Sequence, residues 1–415
     1  MKNSSKRKTI GSRTCLAALC FFLARSNAIL AADPIEALTD YLNQPSESRE
    51  PINSQEFATQ PLNSDQAASA HELLANDWRQ RTQKASLAEM EASEIVSGDL
   101  SMPFFYKVFG EKPDTGRSLF ISMHGGGGAP KRVNDRQWEN QKRLYTVEEG
   151  VYLAPRAPTN TWNLWHQGHI DEMFDRLIRN LVVTENVNPD RVYLMGYSAG
   201  GDGVYQLAPR MADRFAAAAM MAGHPNETSP LGLRNLPFAL YMGGKDAAYK
   251  RNEIAAEWKI KLADLQKADP DGYRHLVTIY PEKGHWMDRE DASSIPWMSE
   301  FIRNSFPKRI VWKQDDVKHD RFYWLSVDAE KQPSRATIVA EIKGQTVSLE
   351  ADGNSDITVR LHDKLVDMDA AVSIEQGDKV LFERKVPRTI ATINATINER
   401  DPRAAYFGQV TVSLK

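Results

Sequence analysis

The residues best placed to do chemistry are Gly196-Tyr197-Ser198-Ala199-Gly200, which stand between an apolar run, Arg191 to Met195, and a helix-like stretch beginning at Gly201. A serine flanked two residues away on each side by glycine fits a sharp strand-to-helix turn, which holds the hydroxyl clear of the sheet. A hydroxyl is a weak nucleophile until a base takes its proton, so the spacing asks for a histidine further along. His285, in Tyr280-Pro281-Glu282-Lys283-Gly284-His285-Trp286, follows the last apolar run of this region and fits that role. His224 also follows an apolar run, but it precedes any acid in the order Ser, Asp or Glu, His that such turns use. Asp246, in Tyr241-Met242-Gly243-Gly244-Lys245-Asp246, stands in that order and would orient and stabilise the imidazole.

Charge that develops on a carbonyl oxygen needs preorganised donors. His124-Gly125-Gly126-Gly127-Gly128 follows the run Ser118 to Met123 and offers side-chain-free N–H groups. Gly125 and Gly126, paired with the N–H of Ala199, are the expected oxyanion hole, with His124 structural. Two further loops follow strand-like runs, Asn160 to His166 and Gly223 to Asn226. Trp162, Asn163, Trp165, His166, His224 and Trp286 are candidates for substrate contact, although tryptophans also pack loops. His166 and His169, three apart with Asp171 and Glu172 near, have the residue types of a metal site. They lack a third ligand at matching spacing, so no metal and no cofactor is expected.

These residues need a scaffold that brings distant loops to one edge. Met102 to Phe109 reads as a first strand, and short apolar runs follow at Ser118 to Met123, Val151 to Ala154, Val192 to Gly196, Phe215 to Ala222, Phe238 to Met242 and Leu276 to Tyr280. Helical patterns at Ile170 to Glu185, Gly201 to Met211 and Asn252 to Ala268 lie between several of them. That alternation predicts an α/β fold, a doubly wound, mostly parallel sheet with reactive loops at the strands' carboxyl ends. After Pro307 the texture becomes short, β-branched and alternating, which predicts a smaller C-terminal all-β module resembling a sandwich.

The chain has 415 residues, 41% of them hydrophobic, enough for a sizeable core and more than one typical domain. Its formal charge is −3, and the first 32 residues carry six basic side chains and no acid. The remainder is therefore acidic, and a nucleic-acid partner is not expected. Both cysteines, Cys15 and Cys20, lie in the short apolar run from Cys15 to Ala24 that follows the basic stretch. This predicts a cleavable signal peptide over 1–32 and a secreted or periplasmic protein, since about ten apolar residues are too few to span a bilayer. The expected organisation continues with a linker at 33–63, an N-terminal helical segment at 64–100, a catalytic domain at 101–307, a connecting segment at 308–334 and the β module at 335–415.

With His124 to Gly128, Gly196 to Gly200, Asp246 and His285 in this order, the region from Ser101 to Pro307 resembles the α/β-hydrolase superfamily. Asp171 to Gly201, including Val187-Asn188-Pro189-Asp190-Arg191-Val192-Tyr193, is similar to secreted esterases of the poly(3-hydroxybutyrate) depolymerase and feruloyl esterase group. The resemblance implies ester hydrolysis through an acyl-serine. Ser198 would be the nucleophile, Asp246 and His285 its partners, and Gly125, Gly126 and Ala199 the oxyanion hole. The expected partner is an ester, possibly polymeric or carbohydrate-linked, and the short spacings around Asp246 leave little room for a lid. A serine peptidase on the same fold, and a secreted binding protein with a vestigial hydrolase domain, remain alternatives. Oligomeric state is not legible in the sequence.

Overall fold

The computed structural model describes residues 33–353 and 355–414; the expected signal peptide at 1–32 lies outside them. In chain order the regular elements are α1 (Pro34–Asn43), α2 (Ser64–Ala92), β1 (Glu94–Ser97), β2 (Leu100–Phe109), β3 (Arg117–Met123), α3 (Lys131–Gln141), β4 (Gly150–Pro155), α4 (Gly168–Thr184), β5 (Val187–Tyr197), α5 (Ala199–Arg210), β6 (Ala217–Met221), β7 (Phe238–Gly243), α6 (Arg251–Ala268), β8 (His275–Tyr280) and α7 (Ser294–Ser299). They are followed by β9 (Arg309–Lys313), β10 (Arg321–Phe322), β11 (Leu325–Val327), β12 (Thr337–Lys343), β13 (Thr346–Ala351), β14 (Asp356–Leu361), β15 (Val372–Gln376), β16 (Lys379–Arg384), α8 (Ile390–Glu399) and β17 (Gly408–Ser413).

The first eight strands form one sheet in the order β1-β2-β4-β3-β5-β6-β7-β8. Strand β2 runs antiparallel to β1 and β4, whereas β4, β3, β5, β6, β7 and β8 are parallel. Strands β4, β6 and β7 are buried at every position, as continuous apolar runs covered on both faces require. Successive residues serve the two faces in turn. Leu119, Ile121, Leu194 and Leu240 pack with Leu177 of α4 and Leu207 of α5, while Phe120, Tyr193, Met195 and Tyr241 pack on the other side with Tyr145 and Met298. Parallel pairing sends the ends of β3, β5, β7 and β8 to one edge, and that edge carries the candidate residues.

The segment 33–63 is not the linker its polar composition suggests. Asp33 caps α1, and Leu38, Ile52, Ala58 and Leu62 are buried in the main core. Sparse apolar anchors, spaced by Pro and Ser turns, suffice to bind a strap that local composition reads as loose. Helix α2 starts on a capping box, in which Asn63 accepts from the N–H of Gln66 and Gln66 returns the bond. It ends at Ser93 in the left-handed region, and β1 follows at once, so the segment 64–100 is part helix and part sheet.

Nor is 308–334 a mere connection. It contributes β9 to a five-stranded sheet, β16-β15-β13-β12-β9, and β10 and β11 to a four-stranded one, β10-β11-β14-β17. These strands are short, and their pairing is long-range, as in Ile310 opposite Ala340 and Leu325 opposite Val359. Local periodicity carries no trace of such partners. Helix α8 interrupts the β texture and packs on α2.

The C-terminal sheets share the main core and a buried ionic network with the region around the eight-stranded sheet. Arg303, 6% exposed, donates through Nε and Nη2 to Asp190 Oδ1 at 3.1 and 2.9 Å and through Nη1 to the carbonyl of Asp213 at 2.7 Å. Its Nη2 also lies 3.6 Å from Asp401 beyond α8. The surrounding acids hold its guanidinium pKa above the ordinary arginine value despite burial. Tyr323 donates to the carbonyl of Ala212 at 3.1 Å, and Trp324 to that of Pro307 at 2.7 Å. Removing one partner of a buried ionic cluster leaves uncompensated charge, so Arg303→Met is expected to cost about 3–5 kcal/mol of unfolding free energy. Urea denaturation checks this; an unchanged midpoint and slope would show that the network contributes no stability.

Candidate active site

Strand β5 delivers Ser198 directly into α5, and the turn is severe. Ser198 takes φ 58° and ψ −121°, a conformation that costs roughly 1–3 kcal/mol for a non-glycine residue. The flanking glycines permit it by close packing. A Cβ on Gly196 would come 2.3 Å from the carbonyl oxygen of Gly200, and one on Gly200 would come 2.2 Å from that of Met123. The serine N–H is satisfied by the Met221 carbonyl at 2.9 Å. Ala199 opens α5, so its N–H belongs to the first turn, where no intrahelical acceptor exists.

The other two side chains arrive on loops after β7 and β8. Gly243 makes this possible, because a Cβ there would lie 1.9 Å from the carbonyl oxygen of Gly284. Backbone bonds stitch the loops together, from Gly244 N–H to the Tyr280 carbonyl at 2.7 Å and from Lys245 N–H to that of Lys283 at 2.9 Å. As a result His285 Nε2 lies 2.9 Å from Ser198 Oγ, and His285 Nδ1 lies 2.7 Å from Asp246 Oδ2. Asp246 is 3% exposed, with Arg251 Nη1 at 3.8 Å from its other oxygen, whereas the His285 side chain is 43% exposed. The consistent tautomer has Nδ1–H donating to the carboxylate and Nε2 accepting from the hydroxyl. Residues 39 and 87 positions apart in sequence thus form one hydrogen-bonded line.

Across from the serine, the glycine loop is held from behind. Asn134 of α3, wholly buried, accepts from Gly127 N–H at 2.8 Å and donates to the Ala129 carbonyl at 2.9 Å. Gly126, at φ 109°, has no room for a Cβ, which would stand 2.3 Å from Asn134 Oδ1. His124 lies beneath this loop. Burial pushes its pKa down to about 3, so the neutral ring donates from Nδ1 to the Gly125 carbonyl at 2.6 Å and accepts at Nε2 from Ala157 N–H at 3.2 Å. Trp165 is fully buried and donates to the His124 carbonyl at 2.9 Å.

A cavity of about 570 Å³ opens on Ser198, His285, Gly125 and Gly126. One wall comes from α3 and the turn after it, with Gln137, Asn140, Arg143 and Leu144; the other carries Trp286 and Arg289. Among the described residues neither Arg143 nor Arg289 has an ion-pair partner, and both are exposed. Of the six aromatic, amide and imidazole candidates, Trp286 lines this cavity. Trp165 and His166 do not: both are buried, and His166, with its pKa pushed down to about 4 by burial, faces Trp162 edge-on. They pack the loop, as apolar rings beside glycines must when the loop has no side chains of its own. Asn163 accepts from Gln167 at 3.1 Å, and Trp162, 62% exposed, lies over Gly127 and Gly128 outside the cavity. His224 is tied to Asp202 and Asn226 and also lies outside.

Of the acids near His166 and His169, Asp171 is engaged elsewhere. Asp171 takes a two-pronged ion pair from Arg210, at 2.9 and 2.5 Å, and a bond with His319 at 2.8 Å. Among the described residues Glu227, Asp315 and Asp316 come close enough to share a cation, but Arg335 already pairs with the first two.

Residues 144–299 match the model of the Dienelactone hydrolase family. The strand order, the strand–serine–helix turn and this match agree. The fold is α/β-hydrolase-like. No curated protein matches. Solved structures similar to it include a thermostable esterase, 21% identical over 51% of this chain and 62% of that one with a TM-score of 0.39. A ferulic acid esterase is 13% identical over 50% and 96%, with a TM-score of 0.35. A carboxylesterase from Mesorhizobium loti is 17% identical over 50% and 98%, with a TM-score of 0.33. The chain spans about three-fifths of the thermostable esterase's length.

Sequence patterns single out the serine, histidine and acid that the structure brings together but pass over Asn134, Arg143 and Arg289. A polar residue inside a predicted helix carries no mark of the loop it serves. Two outcomes follow. Asn134→Ala removes the partner of the Gly127 N–H and the Ala129 carbonyl, both part-buried, and is expected to cost about 1 kcal/mol; chemical denaturation measures it, and an unaltered stability would deny the loop its anchor. His124, His166 and His362 are kept unprotonated by burial, with pKa values near 3, 4 and 4. The unfolded chain binds protons they cannot, so Tm should fall as pH drops from about 6.5 towards 4. A Tm that is flat or rising over that window would contradict their burial.

Proposed function

We propose that the chain is an exported serine hydrolase that cleaves carboxylic esters through an acyl-serine. One observation carries the reading, the continuous line from Ser198 Oγ through His285 to buried Asp246. Ser198 attacks the ester carbonyl while its proton passes to His285 Nε2, and the new imidazolium is stabilised by Asp246. The negative oxygen of the tetrahedral intermediate lies towards the N–H groups of Ala199 and of Gly125 or Gly126. Collapse breaks the carbonyl carbon–alkoxy bond, and the alcohol leaves with the proton from Nε2. Water then repeats the sequence on the acyl-serine, releasing the acid and restoring the hydroxyl. Export is supported by the basic then apolar N-terminal sequence. Among the described residues no helix is long and apolar enough to cross a membrane.

The cavity also favours one kind of ester. Arg143 and Arg289, in no ion pair among the described residues, bring two positive charges to its walls, so an ester with an anionic group on its acid or alcohol part gains attraction that a neutral one does not. Ser198→Ala is expected to reduce kcat on the scale of about 10⁶ with folding intact; full activity would end the mechanism. Arg289→Leu is expected to raise KM for a carboxylate-bearing ester about tenfold, roughly 1.4 kcal/mol, and to leave a neutral ester unchanged. An equal change for both esters would remove the charge argument. Steady-state kinetics on the paired substrates decides.

A further inference from the structure

We infer that Tyr197, the residue immediately before the nucleophile, is a positioning residue that sets the distance between the serine turn and the histidine loop. The inference rests on the proposed serine mechanism. Tyr197 is 7% exposed, and its hydroxyl is used twice. It donates to the carbonyl of His285 at 2.6 Å and accepts from the N–H of Met287 at 3.0 Å. Its ring stands edge-on to the His285 imidazole, centroids 6.0 Å apart, and 5.6 Å from the Trp286 ring. One side chain therefore grips the backbone on both sides of Trp286 while its own backbone is joined to Ser198.

The loop needs such a grip. Gly284 has open space where a Cβ would be, and Asp288 and Arg289 both adopt positive φ, so the run from 284 to 289 has little regular structure to stiffen it. Further along, it is fastened by Tyr280, which donates to the Glu290 carbonyl at 3.1 Å, and by Tyr145, which donates to buried Asp291. Those two bonds fix the descending end; the Tyr197 pair acts at the histidine itself. Burial raises the pKa of Tyr197 far above its ordinary value, so the hydroxyl keeps the proton it donates to His285 at neutral pH. A loop shift of about 1 Å is enough to lower turnover about 100-fold, because the nucleophile–base hydrogen bond tolerates little error. Substrate binding, made mostly by the cavity walls, should be affected much less.

Tyr197→Phe keeps the ring and removes both bonds. With an ester substrate, and kcat expressed per titratable serine, kcat is expected to fall about 10- to 100-fold with KM within about threefold of the parent. A kcat within twofold, or a fall matched by an equal rise in KM, overturns the inference. Ser198→Ala assayed alongside separates this from the mechanism: activity in that variant refutes the serine reading itself, whereas its inactivity beside a fully active Tyr197→Phe refutes the clamp alone. Should Tyr197→Phe not fold, amide exchange in the unsubstituted enzyme provides the decision. Protection of Met287 N–H supports the clamp, and exchange at the free-peptide rate overturns it.

Discussion

The backbone of Ser198, bent to a positive φ at the end of β5, is the constraint on which the rest of the site depends. A serine in that conformation costs energy that only neighbouring structure can offset. Here the offset comes from apposition of bare backbone: Gly196 on Gly200, Gly200 on Met123, and on the opposite loops Gly243 on Gly284. Where side chains are missing, chains approach closely enough for strand ends to face one another across a few ångströms. The hydroxyl is thereby raised above the sheet, within reach of an imidazole that enters from a loop after β8.

Rigidity beyond the strands is supplied from below and behind. Neutral His124 and the indole of Trp165 pin the glycine loop to the body of the domain, and Asn134 ties its far side to α3. The C-terminal sheets take part too. Their burial of Arg303, Asp401 and Tyr323 against the turn after α5 makes them a continuation of the hydrolase core instead of an appended unit. The edge that carries the cavity is left to loops, and it is there that Arg143 and Arg289 stand, in no ion pair among the described residues.

What could be read from sequence follows the range of the interaction responsible. The parallel strands and their helices are local patterns and fall close to their expected places, β7 at Phe238–Gly243 and α6 at Arg251–Ala268 among them. The glycine–serine–glycine turn is also local, and the order of serine, acid and histidine follows from the direction of the chain through a parallel sheet. Long-range contacts leave no such trace. Leu62 bridging to Arg388 and the packing of Trp165 beneath the glycines join residues whose own neighbourhoods look like loop, and the strand texture after Pro307 does not say that β9 pairs with β12. The tryptophans at 162 and 165 illustrate the difficulty, since the same residue type three positions apart is exposed in one case and wholly buried in the other.

The account turns on whether one particular oxygen is made nucleophilic by its neighbours. Covalent labelling with an organophosphonate, followed by mass spectrometry of the peptide that spans β5 and α5, measures this directly. One adduct per chain on Ser198 is expected, with the rate of labelling lowered by orders of magnitude in His285→Ala. An unlabelled Ser198, or labelling that proceeds equally fast without the imidazole, would contradict it.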